Sequence, residues 1–168
     1  TYSLKANDKT KEQYPYDFEL QMTYELTEHG VKVSHTVINH DSVVMPYCVG
    51  GHPAFNCPVF ENESFEDYIV EFEQPENAAC AQLTEDGLIN NADRVSVLEN
   101  EAVIPVRHSL FYKDALVFDA LKSRKVALKH KKTGHGILVS FPDFDYLGVW
   151  SSANDGPFVA LEPWSGTS

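Results

Sequence analysis

The chain has 168 residues, 43% hydrophobic and 12% aromatic, enough apolar material to bury a core in one domain and too much for a disordered segment. Its formal net charge is −12 and its 13 basic residues form no long run, which argues against a nucleic-acid partner or an anionic membrane surface, since both need a concentrated positive field. No stretch approaches the roughly 20 apolar residues of a bilayer span and the N-terminal residues are polar, unlike a signal peptide, so a soluble chain is expected.

Cys48, Cys57 and Cys80 are odd in number and none stands in a C-x-x-C arrangement. They read as reduced thiols of a cytoplasmic protein, not as a disulfide framework or a zinc knuckle. The sequence opens at Thr1 without an initiator methionine and stops just after an aromatic, glycine-containing segment, so both ends are expected to be cut from a longer chain.

In chain order, the first clear element is Phe18 to Leu26, a strict alternation with Phe18, Leu20, Met22, Tyr24 and Leu26 on one face and Glu19, Gln21, Thr23 and Glu25 on the other. A half-buried strand is expected. After Glu28, His29 and Gly30 the alternation resumes through Val31, Val33 and Val37, which predicts an antiparallel hairpin. Further short β-branched or aromatic runs follow at 43–49, 68–72, 94–98, 115–118, 126–130, 136–141, 147–150 and 158–161, separated by Gly, Pro, Asn and Asp. No window of helical length holds an apolar stripe of period 3.6. The acid-rich stretch 61–76 reads as a solvated strand face with its loops. Many short strands at close spacing point to one all-β domain over residues 1–168, an antiparallel sandwich or barrel.

Two stretches carry groups suited to chemistry. In Gly50-Gly51-His52-Pro53-Ala54-Phe55-Asn56 a histidine lies between glycines and a proline, where close backbone approach is allowed and Pro53 pushes His52 toward an extended conformation. Such a loop fixes the direction of a side chain, for catalysis or for a structural hydrogen bond. In Phe158-Val159-Ala160-Leu161-Glu162-Pro163-Trp164 a carboxylate ends an apolar strand, either desolvated there or turned outward.

Together these stretches resemble the aldose 1-epimerase (galactose mutarotase) family, in particular its LacX-like branch. The resemblance is carried by G-G-H-P-A-F-N at 50–56, L-F-Y-K-D-A-L-V-F at 110–118, F-P-D-F-D-Y-L-G-V-W-S at 141–151 and L-E-P-W-S-G at 161–166. It implies a sandwich of large antiparallel sheets, the galactose mutarotase-like supersandwich, incomplete in this chain, with a sugar cleft on its concave side. By position, His52 resembles the family's general acid, Glu162 its general base, and Asp114 its substrate-anchoring aspartate, with Asp119 close by. Asn56 belongs to the same binding segment, while Phe55 and Trp164 offer faces on which a pyranose can stack or, more commonly for such residues, pack the core. The family's longer chains supply an arginine and another histidine from an N-terminal portion, and neither is matched here.

The implied reaction needs such a pair. A cyclic aldose opens when a base takes the anomeric hydroxyl proton and an acid delivers one to the ring oxygen; neither step needs a metal or a redox cofactor. A histidine with a reference pKa of roughly 6.5 and a glutamate of roughly 4.3 suit these roles near neutral pH. The expected partner is a neutral free hexose, with no nucleic acid and no membrane; the oligomeric state is not legible.

Three rivals stand beside this reading. A metal-dependent β-barrel enzyme lacks its H-x-H or H-E-x-x-H signature. A glycoside hydrolase would pair Glu162 with Asp114, Asp143 or Asp145. A non-catalytic carbohydrate-binding protein of the same fold is the alternative from another class.

Overall fold

The computed structural model describes residues 1–84, 86 and 88–167 and divides the chain into two compact units, Thr1–Val49 and Gly50–Ser168.

In the first unit, β1 (Tyr2–Lys5), the four-residue helix α1 (Asp8–Lys11), β2 (Phe18–Thr27) and β3 (Gly30–Asn39) follow in order, and the strands form one antiparallel sheet, β1-β2-β3. The expected hairpin is present in full register, from Phe18 opposite Asn39 to Thr27 opposite Gly30. α1 opens on a reciprocal cap: Asn7 Oδ1 accepts from Thr10 N at 3.1 Å while Asn7 N donates to Thr10 Oγ1 at 2.9 Å. The alternation of β2 orders its faces but does not bury the apolar one throughout: Phe18 to Met22 are half-buried, whereas Tyr24 and Leu26 are exposed. On the polar face Gln21, Ser3 and Lys5 converge on Glu19, and the first two hold its carboxyl down at about 2.

The strand expected at 43–49 is not formed. The Asn39 side chain takes the Val43 carbonyl at 2.8 Å, Pro46 has no N–H to give a ladder, and its carbonyl is taken by the Tyr14 hydroxyl.

The second unit holds β4 (Ala54–Asn56), β5 (Tyr68–Leu83), β6 (Ile89–Pro105), β7 (Leu116–Phe118), β8 (Lys125–His130), β9 (Gly136–Ser140), β10 (Tyr146–Trp150) and β11 (Phe158–Trp164). They form two antiparallel sheets, β4-β11-β10-β7 and β6-β5-β8-β9. Their inner faces share one core that includes Tyr68, Val70 and Phe72 from β5, Leu128 from β8, Leu147 and Val149 from β10, and Val159 and Leu161 from β11. Phe72 and Phe118 meet edge to face at 5.5 Å across the two sheets.

The runs at 68–72 and 94–98 are pieces of much longer strands. β5 and β6 stay paired through register shifts, the first between Glu71 and Glu76, where Pro75 cannot donate to a ladder. The solvated acidic face expected over 61–76 holds at Glu61, Glu66 and Glu73 and fails at Glu76. Glu76 turns inward and is buried, its Oε1 accepting from Ser123 N and Ser123 Oγ, each at 2.7 Å, and from Lys122 N at 3.1 Å. Among the described residues no helix is long and apolar enough to cross a membrane. The three cysteines are free, and burial pushes the thiols of Cys57 and Cys80 up to about 12.

Candidate active site

The segment 50–54 runs alongside β11. Gly50 bridges Trp164, Gly51 N donates to Pro163 O at 3.0 Å, Leu161 N donates to Pro53 O at 3.1 Å, and Ala54 lies opposite Ala160. This register sets His52 across from Glu162, and directly opposed residues of an antiparallel pair project to the same face. The chain therefore brings together two side chains remote in sequence. Gly50 is required by the approach: a Cβ there would lie 2.6 Å from the Trp164 ring and 2.8 Å from Pro163 O.

His52 Nε2 stands 3.4 Å from Glu162 Oε1, and the two environments differ sharply, with 60% of the imidazole side chain exposed against 6% of the carboxylate's. Burial raises the Glu162 pKa above the usual carboxylate value; the Asp114 charge adds to the rise, while His52 and a hydrogen bond from Trp164 oppose it. A desolvated carboxylate with a raised affinity for a proton is a stronger base than a solvated one.

Both tryptophans of the chain lie on this face. Alternation along β11 puts Trp164 beside Glu162, and its indole lies over Gly148, where a Cβ would meet ring atoms at 2.8 and 2.9 Å. Trp150, two residues beyond Gly148 on β10, meets the His52 ring edge to face at 5.5 Å. Trp150 was missing from the expected site. Its signal was present, since residues 148 and 150 share a face, but the apolar run Leu147 to Trp150 shows no polar alternation to say which face is which.

The remaining expected residues are placed as follows. Asp114 sits in the turn before β7 with a left-handed φ of 88°, exposed, its carboxylate accepting from Ala115 N at 2.6 Å and close enough to act on Glu162. Asp119, beyond β7, is committed elsewhere, to a two-pronged pairing with Arg94 at 2.7 and 2.9 Å. Asn56 ends β4, exposed, opposite Phe158. Phe55 corrects the stacking expectation: alternation turns it to the opposite face from Ala54 and Asn56, where it packs against the core.

A cavity of about 630 Å³ lies between β6 and the segment 107–116; Asp114, Arg107 and Lys113 line it, whereas His52 and Glu162 do not. A second polar cluster sits apart from the pair. The Tyr68 hydroxyl donates to Glu63, which also receives His135 Nε2 at 3.2 Å, and these bonds outweigh burial to keep the Glu63 carboxyl below its ordinary value. Among the described residues no group of three or more His, Cys, Asp or Glu side chains is arranged to hold a metal ion.

Comparison with known proteins identifies the family and the fold. The model of the family described as aldose 1-epimerase matches residues 1–168. The chain belongs to the aldose 1-epimerase family. Among relatives of this epimerase-family chain, the chromosomal LacX protein of Lactococcus lactis subsp. lactis is 43% identical over the whole chain, which spans 57% of LacX. The structure of a galactose mutarotase related enzyme from Lactobacillus acidophilus superposes with a TM-score of 0.89 at 28% identity, over 98% of this chain and 55% of that one. A galactose mutarotase-like protein from Lactobacillus casei gives 0.86 at 30% identity, over 98% and 57%. The chain thus has the mutarotase-like all-β fold and covers little more than half the length of these relatives.

Proposed function

We propose that the chain carries the acid–base pair of a mutarotase that interconverts the α and β anomers of a free hexose. The observation that carries this reading is the 3.4 Å separation of His52 Nε2 and Glu162 Oε1 on one sheet face. The anomeric oxygen and the ring oxygen are bonded to the same carbon, so the groups that serve them must have their reactive atoms close together.

Glu162 takes the proton of the anomeric hydroxyl as protonated His52 gives one to the ring oxygen. The bond from C1 to the ring oxygen breaks and its electron pair stays on that oxygen, leaving a carbonyl at C1. After rotation about C1–C2 the hydroxyl attacks the other carbonyl face, His52 recovers its proton, and Glu162 returns its own to the carbonyl oxygen. Protons and electrons balance over the cycle. Trp164 and Trp150 border the face with apolar rings suited to the C–H side of a pyranose, and Asp114 offers a carboxylate to its hydroxyls.

Polarimetry on freshly dissolved α-glucose and α-galactose tests the proposal. The protein should speed equilibration, and His52→Ala and Glu162→Gln should each slow it roughly 100-fold or more. Equilibration no faster than the spontaneous rate contradicts the mutarotase reading, and sugar binding without acceleration would favour the non-catalytic alternative.

A further inference from the structure

We propose that Trp150 is the positioning residue of His52, holding the imidazole edge to face and favouring its protonated form; the inference rests on the acid–base reading above. The two members of the pair are held in different ways. Glu162 is locked by burial, whereas the His52 side chain is 60% exposed and needs a lateral contact to keep Nε2 aimed at the carboxylate. Trp150 supplies that contact, with ring centroids 5.5 Å apart and planes 88° to one another.

The indole is itself fixed, by the pairing of Trp150 with Ala160 and by the Phe158 ring at 5.5 Å. In a perpendicular arrangement the positive edge of one ring meets the negative face of the other, a directional contact that keeps Nε2 at 3.4 Å from the Glu162 carboxylate, where a protonated imidazole gains an attraction that the neutral ring lacks. Among the described residues the charged neighbours that act here include Glu162 from β11 and, through its effect on that carboxylate, Asp114 from the turn before β7. Both are anions, so an orientation that keeps Nε2 on the Glu162 carboxylate favours the imidazolium, and the indole supplies that orientation.

Imidazole NMR titration of His52 in the wild type, Trp150→Phe and Trp150→Leu reads this directly, with anomerisation kinetics measured on the same samples. In Trp150→Leu the His52 midpoint should fall by roughly half a pH unit and the alkaline limb of kcat should follow it to lower pH, kcat itself dropping about two- to fivefold while loss of a ring that borders the sugar raises KM as well. Trp150→Phe, which keeps an aromatic face against Phe158, should lie between the two and decides the matter if the leucine variant does not fold. An unchanged His52 midpoint in a folded variant overturns the proposal. Absence of catalysis in every sample, wild type included, removes the mutarotase reading while the NMR arm still decides the role of Trp150.

Discussion

At the scale of single residues, the raised pKa of Glu162 gives a prediction with a definite sign. Asp114 contributes to the rise through its charge, so Asp114→Asn should lower the Glu162 pKa, extend its ionised range toward acid, and shift the corresponding limb of the pH–rate profile to lower pH. A limb that stays in place would mean that the two carboxyls do not interact. Gly148 gives a steric test. An alanine Cβ would sit 2.8 Å from the Trp164 ring, and Gly148→Ala should displace the indole, costing about 1–3 kcal/mol on thermal or denaturant unfolding.

His52 and Glu162 were legible as residues because each sits in an unusual local sequence, one between glycines and a proline, the other closing an apolar run before Pro-Trp. Trp150 was not, because β10 is apolar on both faces and its side follows only from pairing with β11. Phe55 stands next to a segment of special composition, yet strand alternation alone sends its ring to the core.

At the scale of elements, the strands that show regular alternation or a β-branched run were readable, and β2–β3 as a hairpin with its turn at Gly30. What escaped depended on partners. β1 and β4 are four and three residues long and exist because β2 and β11 offer them edges. Residues 43–49 have strand composition, but Asn39 and Pro46 divert their backbone groups.

The bulged β5 conceals a further element-scale feature, the inward Glu76 that gathers the turn 122–123. Glu76→Ala removes the acceptor for two backbone N–H groups and one hydroxyl, and should destabilise the fold by about 2–4 kcal/mol in chemical denaturation. By contrast Leu26 is 86% exposed, so Leu26→Lys should change stability by no more than about 0.5 kcal/mol.

At the scale of the molecule, the net charge of −12 bears on which sugars approach easily. The rate constant kcat/KM for a neutral hexose should hardly respond to ionic strength, whereas that for a hexose phosphate should rise with added salt as repulsion is screened. The all-β class was legible from the spacing of short strands, and the two-sheet core of residues 50–168 realises it. Sheet order was not legible, because the neighbours of β4, β11, β10 and β7 come from opposite ends of that unit and no local pattern records such pairings.

The proposed reaction needs two remote side chains acting as one unit, and a double-substitution cycle on anomer equilibration tests that most directly. Combining His52→Ala with Glu162→Gln should slow the reaction little more than the more damaging single change does, because a proton relay with one end removed has little left to lose. Losses that simply multiply would show the two groups working independently and would contradict the pairing read from their 3.4 Å contact.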